Sequence, residues 1–493
     1  MTFGWHSCAV VVLAGLIVSN AAQINSSTTC SGDCQTLVLN AASFEAEQHA
    51  SPSVDNSSFY KVPSNFSTDL PPGTVLHVEQ ATNLSNYTVP SSLTMSRIIY
   101  TTVDLNGRIL PTSAYILWPY TRLQGTTDQE GFPMVAWAHG TSGVFRECAP
   151  SNYRSLQYHF MAPYLLAMQG MAVVAPDYAG LGINTLPSGE HFGHPWLNGP
   201  AQANDLANAI VAARSAFPGQ LRSAGPFVTL GHSQGGSASW SFAELMVNKS
   251  MAGYKGAVAI APPTRTIALL EQALALSANA SQQPPPWTAV IIGAQPKLID
   301  AVTALYPAYN HSGLTSLSAD RWFNVFAPLQ ACLPTDALAF ADVPVSQLAR
   351  PGWTNDVAVQ NYSARAETGR KQFKGPLLVV AGDADLIVPH FAVESAVDDT
   401  CRTMVGGGNE SLEMVTYTDM NHFPVIQASE MKWLGWVKDR LTGKPLGQQA
   451  SGSESGCVKT VVEGYRTNFT VQSLAPNFLV EWASPMEGWK YAL

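Results

Sequence analysis

Phe227-Val228-Thr229-Leu230-Gly231-His232-Ser233-Gln234-Gly235-Gly236-Ser237-Ala238 passes from an apolar run to a glycine-flanked serine, then into small residues of helical character. That order predicts a buried strand, a sharp turn and a helix. A serine hydroxyl is a poor nucleophile until such a turn exposes it and a neighbouring base takes its proton. Glycines two before and two after the serine permit the turn, because side chains there would collide with the adjacent strand or helix. Gly-x-Ser-x-Gly also arises by chance in the loops of long chains. Its weight here comes from the strand before it and the helix after it. Ser233 is the candidate nucleophile.

The alternation extends in both directions. Met134-Val135-Ala136-Trp137-Ala138 and residues 171–176 are short apolar runs closed by Gly-, Pro- and Asp-rich turns. Residues 201–217 have helical spacing behind Pro200, and a helix over 234–247 and a strand over 257–261 follow Ser233. Continuously apolar strands alternating with helices predict an α/β fold whose mostly parallel sheet is covered on both faces. Upstream, 97–103 and 114–118 read as strands around the turn Asp104-Leu105-Asn106-Gly107. The rhythm breaks over 266–369, which holds helical pieces and the stretch Gln282-Gln283-Pro284-Pro285-Pro286-Trp287. It resumes with strands over 377–381 and 412–417 and a helix over 429–441. A helical insertion into one sheet accounts for this better than two tandem domains. Residues 93–265 and 370–441 are then two parts of one core, with 266–369 inserted between them. Residues 23–92, rich in Ser, Thr, Asn and Pro, read as an extended segment wrapping the surface. Residues 442–493 read as a surface segment tied back by Cys457.

A chain of 493 residues exceeds one compact domain, which suits a large core with an insertion. Charged residues make up 12%, about half the usual share of roughly 25%. The net charge of −9 and the lack of Lys/Arg runs argue against nucleic-acid binding. The apolar run from Cys8 to Val18, followed by Ser19-Asn20-Ala21-Ala22, reads as a signal peptide over 1–22, although its only positive groups are the α-amino group and His6. A buried helix of the mature chain is the competing reading. No other segment reaches about 18 uninterrupted apolar residues, so no transmembrane segment is expected. Asn-x-Ser/Thr sites at Asn25, Asn56, Asn65, Asn83, Asn86, Asn248, Asn279, Asn310, Asn361, Asn409 and Asn468 fit a secreted glycoprotein whose glycans solubilise a charge-poor surface. Removing the signal also removes Cys8 and leaves Cys30, Cys34, Cys148, Cys332, Cys401 and Cys457. That even set reads as three disulfides, with fifteen possible pairings. Cys30 and Cys34 have the look of a zinc half-site, but no matching Cys/His pair follows them; a local disulfide, or none, fits better.

A serine nucleophile needs a histidine to take its proton and a carboxylate to orient that histidine. On a doubly wound sheet both follow the serine in the chain, acid first, from loops at the carboxyl ends of later strands. The strand over 377–381 runs into Gly382-Asp383-Ala384-Asp385-Leu386-Ile387-Val388-Pro389. Asp385 is preferred as the acid because the apolar turn after it buries its flank. Asp383 is then a turn residue bonding the local backbone. Met420-Asn421-His422-Phe423-Pro424 follows the next strand, which makes His422 the candidate base. His191 and His194 sit in a Gly/Pro-rich loop, and His390 follows the acid too closely to be preferred. Two backbone amides must hold the tetrahedral oxyanion. Gln234, directly after the nucleophile, and Thr141, in Ala138-His139-Gly140-Thr141-Ser142-Gly143, are the candidate donors. His139 has no partner at metal-ligand spacing and reads as a brace of that loop. No phosphate loop, dinucleotide fingerprint or zinc pattern is present, so neither metal nor cofactor is expected.

Five stretches together resemble the secretory lipase family of the α/β-hydrolase superfamily: Trp137-Ala138-His139-Gly140-Thr141-Ser142-Gly143, Cys148-Ala149-Pro150-Ser151, Pro176-Asp177-Tyr178-Ala179-Gly180-Leu181-Gly182, Gly231-His232-Ser233-Gln234-Gly235-Gly236 and Gly382-Asp383-Ala384-Asp385. The likeness runs from about Met134 to His422. It implies an α/β-hydrolase core with an inserted helical cap or lid, and carboxylic-ester hydrolysis. By the same resemblance Cys148 pairs with Cys332 and Cys401 with Cys457, which leaves Cys30 with Cys34. The expected activity is that of a secreted serine esterase or lipase. Its partner is a small-molecule or lipid ester, with a lipid–water interface as a possible working surface. An acyltransferase or a peptidase would use the same three residues. A binding protein on a catalytically dead scaffold would not need all of them intact.

Overall fold

The computed structural model describes residue 24 and residues 26–126, 131–279, 283–404, 410–445 and 456–463. The signal segment 1–22 and the sites Asn25, Asn409 and Asn468 lie outside the described residues. The strands are β1 (Val75–Glu79), β2 (Leu93–Val103), β3 (Ile109–Pro119), β4 (Met134–Ala138), β5 (Ala172–Pro176), β6 (Phe227–His232), β7 (Tyr254–Ile260), β8 (Leu377–Gly382), β9 (Leu412–Tyr417) and β10 (Cys457–Val462). They form one sheet in the order β1-β2-β3-β5-β4-β6-β7-β8-β9-β10. Every pairing from β5 to β10 is parallel, and β1, β2, β3 and β5 pair antiparallel at the other edge.

The principal helices are α1 (Asp33–Gln48), α2 (Gly199–Ala216), α3 (Gln234–Leu245), α4 (Thr266–Ala278), α5 (Trp287–Gly293), α6 (Gln295–Leu305), α7 (Leu333–Ala339), α8 (Val357–Ala366), α9 (His390–Thr403) and α10 (Glu430–Leu441). Successive strand residues face opposite sides, so each apolar strand feeds two cores. Val135 and Trp137 of β4 join Val228 and Leu230 of β6 and Trp433 and Val437 of α10 on one side. Ala136 and Ala138 join Leu206 and Ile210 of α2 and Ala238 and Phe242 of α3 on the other. Each fully buried large aliphatic side chain contributes about 1.5–3 kcal/mol, which explains why the central strands β4, β5 and β8 carry no polar side chain.

Between β7 and β8 the regular elements are helical, from α4 to α8, and they build a core of their own around Leu270, Ile299, Trp322, Phe326 and Tyr362. Two findings depart from the sequence reading. Residues 23–92 are not simply an extended wrap. They include the sixteen-residue helix α1 and the edge strand β1, and Ile24, Cys30 and Val38 are buried in the core of the helical insertion. The segment averages to a loop composition, but the apolar residues of α1 find their partner in the insertion rather than in the sheet. The tail after 442 likewise contains β10, which pairs in register with β9, from Cys457 opposite Leu412 to Val462 opposite Tyr417. Among the described residues no single helix is long and apolar enough to cross a membrane.

Candidate active site

β6 ends at His232 and α3 begins at Gln234, so Ser233 alone makes the turn, with φ 56° and ψ −125°. Such a backbone costs on the order of 1–3 kcal/mol and survives only where its surroundings enforce it. Here the enforcement is close packing. A Cβ on Gly231 would lie 2.0 Å from the Gly235 carbonyl oxygen, and one on Gly235 would lie 1.9 Å from the Ala138 carbonyl oxygen. The Ser233 amide donates to the Ile260 carbonyl at 2.9 Å, anchoring the turn to β7. The N-terminus of α3 therefore points its dipole and unpaired amides at the serine, a setting that favours negative charge.

The other predicted residues leave the carboxyl ends of neighbouring parallel strands: Thr141 after β4, Asp385 after β8 and His422 after β9. His422 Nδ1 lies 2.7 Å from Asp385 Oδ2, and both side chains are buried. Asp385 Oδ1 accepts from the amides of Ile387 and Val388, each at 2.8 Å, which fixes the carboxylate and leaves Oδ2 for the ring. Asp383 is exposed and accepts from the Asp419 amide. Ser233 and His422 line the same cavity. Among the described residues no hydrogen bond joins the Ser233 hydroxyl to the His422 ring; the ring's hydrogen bond runs to Asp385. Serine–histidine contacts of this kind commonly tighten only when substrate is bound. The backbone amides of Thr141 and Gln234 donate to no other described residue.

Residues that the sequence reading passed over support these groups. His232, inside the serine motif, is fully buried. Its Nε2 lies 3.0 Å from the His422 carbonyl and its Nδ1 lies 2.8 Å from the Tyr158 hydroxyl. Burial, with His422 beside it, holds this imidazole well below the usual histidine range, so it stays neutral. A carbonyl only accepts, so Nε2–H donates to His422 and Nδ1 accepts from Tyr158. The residue before the candidate nucleophile thus pins the backbone of the candidate base.

A second chain of hydrogen bonds runs through the loop that carries Thr141. His194, held down at about 4 by burial, donates from Nδ1 to the Ala179 carbonyl at 2.9 Å. Its Nε2 then accepts from the Gln234 side-chain amide at 2.8 Å. The Gln234 carbonyl oxygen accepts from the Thr141 hydroxyl at 3.3 Å, and that hydroxyl accepts from Trp196 Nε1 at 2.8 Å. The two candidate oxyanion residues are therefore joined through their side chains, and His194 is not a bland loop histidine. A histidine or tryptophan in a Gly/Pro-rich loop carries no periodic signal, and sequence offered none for these. His139 is stacked on Tyr178, with its ring nitrogens against the Gly140 and Asp177 carbonyls, and holds the loop from beneath.

The cavity holds about 600 Å³, between the loops above and the helical insertion. Its walls are largely apolar, with Leu298 of α6, Leu333 of α7, and Phe340, Leu348 and Val388 among them. Among the described residues no group of three or more His, Cys, Asp or Glu is placed to hold a metal ion. The fold has known counterparts. Residues 135–431 match the model of the "Alpha/beta hydrolase family". The chain belongs to the alpha/beta hydrolase family. Among solved structures, this hydrolase is similar to lipase A of Candida antarctica, with a TM-score of 0.62 and 15% identity over 84% of this chain and 90% of the other. It is also similar to the rice cell wall degrading esterase LipA of Xanthomonas oryzae, with a TM-score of 0.54 and 19% identity over 76% of this chain and 100% of the other. A putative hydrolase of Legionella pneumophila aligns with a TM-score of 0.52 and 17% identity, over 76% and 98% of the two chains. No curated protein matches the hydrolase by sequence. These likenesses to a lipase and an esterase, at 15% and 19% identity, are likenesses of fold.

Proposed function

We propose that this protein is a secreted serine esterase of the lipase type, acting on apolar esters through an acyl-enzyme. The observation that carries the reading is the buried His422–Asp385 pair at 2.7 Å, whose histidine shares a cavity wall with Ser233 on its strained turn. In the proposed cycle, His422 takes the Ser233 proton as the serine oxygen attacks the ester carbonyl. The amides of Thr141 and Gln234, at the positive end of α3, hold the oxyanion. His422 then returns the proton to the departing alcohol, and the acyl group stays on Ser233. Water, deprotonated by the same ring, attacks the acyl-enzyme and releases the acid. Asp385 keeps the ring in the tautomer that presents Nε2 to the serine. The insertion over 266–369 serves as a cap whose apolar residues face the ester.

Secretion is proposed from the segment 1–22 and is supported by three disulfides, Cys30–Cys34, Cys148–Cys332 and Cys401–Cys457, which suit an oxidising compartment. Asn56, Asn65, Asn83, Asn86, Asn248, Asn279, Asn310 and Asn361 are all exposed, as glycan acceptors must be. A fluorophosphonate probe tests the reading directly. It should label Ser233 in the native protein, fail on Ser233→Ala, and block turnover of aryl esters in proportion to labelling. Labelling at another residue, or turnover by Ser233→Ala, would remove Ser233 from its role.

A further inference from the structure

The cavity wall contains an ion pair that neither the proposed chemistry nor the packing requires. Lys297 of α6 and Asp336 of α7 both line the cavity, their side chains are 13% and 11% exposed, and Lys297 Nζ bonds Asp336 Oδ2. An apolar pair of similar volume would join two helices as well or better, because taking two charges out of water costs as much as their attraction returns. A pair serving purely alkyl chains would only add that cost. Its unused hydrogen-bonding capacity points elsewhere. Among the described residues Asp336 Oδ1 has no partner, and the Lys297 ammonium, one of whose donors is taken by Asp336, lies 4.6 Å from the centroid of the Trp196 ring. An acceptor and a donor thus stand side by side in an otherwise apolar wall.

The matching group is neutral and both donates and accepts. A substrate carboxylate would be repelled by Asp336 and an ammonium by Lys297, whereas a hydroxyl bridges the two. The pair is also close to the proposed reaction centre, since the ring of Trp196 separates Lys297 from Thr141, whose hydroxyl accepts from that indole at 2.8 Å. Resting on the esterase reading above, we propose that Lys297 and Asp336 select uncharged esters that carry a hydroxyl group near the scissile carbonyl. The hydroxyl donates to Asp336 Oδ1 and accepts from Lys297 Nζ.

The test is the ratio of kcat/KM between a hydroxylated ester and its plain counterpart of equal length. One pair bears the hydroxyl on the acyl chain and a second pair bears it on the alcohol. The wild-type ratio should exceed one in at least one pair, and the pair in which it does identifies the hydroxyl's side of the ester. In the double variant Lys297→Met with Asp336→Leu that ratio should fall about ten-fold, the scale of one hydrogen bond to a charged group. Asp336→Asn, which keeps a neutral acceptor, should restore part of it. A wild-type ratio at or below one in both pairs overturns the proposal whether or not the variants fold. A ratio equal in wild type and double variant also overturns it and leaves the ion pair as a helix tie. Turnover of the plain esters, with fluorophosphonate labelling of Ser233, shows in the same samples whether the esterase reading itself stands.

Discussion

Asp383 and Asp385 sit two residues apart, yet their surroundings give them different work. Asp385 is buried, receives two backbone amides on one oxygen and presents the other to His422. Asp383 faces solvent and ties a neighbouring turn. Asp385→Asn should therefore lower kcat by about 10⁴-fold, because an amide in that place favours the wrong ring tautomer. Asp383→Asn should stay near wild type, and the reverse order would exchange the two roles. His232 makes a subtler case. His232→Leu removes the bond to the His422 carbonyl and leaves the Tyr158 hydroxyl without its acceptor. A small displacement of the proposed base should cost about 10²-fold in kcat with KM unchanged. A variant with wild-type kcat would make His232 a packing residue. Ser233 and the two loops bearing Asp385 and His422 are legible in the chain because each follows a strand with a distinctive turn. His232 and His194 are not, since their partners lie 190 and 40 residues away and no local pattern announces them.

Among the elements that sequence reading misses is α1. Its residue Glu45 is buried and accepts from the amides of Cys332 at 2.9 Å and Thr335 at 2.8 Å, the start of cavity-lining α7. The N-terminal segment thus caps a wall of the proposed site. Burial outweighs those two bonds and raises the Glu45 carboxyl from 4.5 to about 7. Between these values the folded state binds more protons than the unfolded chain. The contribution of Glu45 to stability is therefore fully present below pH 4.5 and is lost as the pH rises through about 7. Glu45→Gln, which keeps a neutral acceptor, should flatten that part of the profile, so the wild-type melting temperature should fall relative to the variant's as the pH rises from 4.5 through about 7. Parallel profiles across this window would remove Glu45 as the titrating group. The helix was hidden because its buried positions, Val38, Ala41 and Glu45, include a carboxylate that no hydrophobic pattern would count as core. Strand β10 was hidden for another reason. It lies at the sheet edge with its side chains largely exposed, so it lacks the apolar run that marks the central strands.

Across the molecule, the disulfides divide by what they join. Cys148–Cys332 spans 184 residues and links the loop after β4 to the start of α7, so it holds the insertion against the core. Cys30–Cys34 spans 4 residues within the N-terminal segment. Loop-closure entropy makes the long link the stronger one. Replacing both Cys148 and Cys332 by Ser should cost about 2–4 kcal/mol, and the same change at Cys30 and Cys34 much less. Equal losses in denaturant melts would show that local strain or packing, and not chain entropy, sets their value.

The chain's own pattern dictates the parallel sheet, the glycine-flanked turn at Ser233 and the break in rhythm that becomes the helical insertion. Those features are local: apolar periodicity and the steric needs of a turn act over a few residues. Which histidines brace the site and how the N-terminal helix reaches α7 depend on contacts between distant segments. Such contacts exist only after the sheet has closed and burial has stripped water from the groups involved, so no short stretch of sequence can encode them.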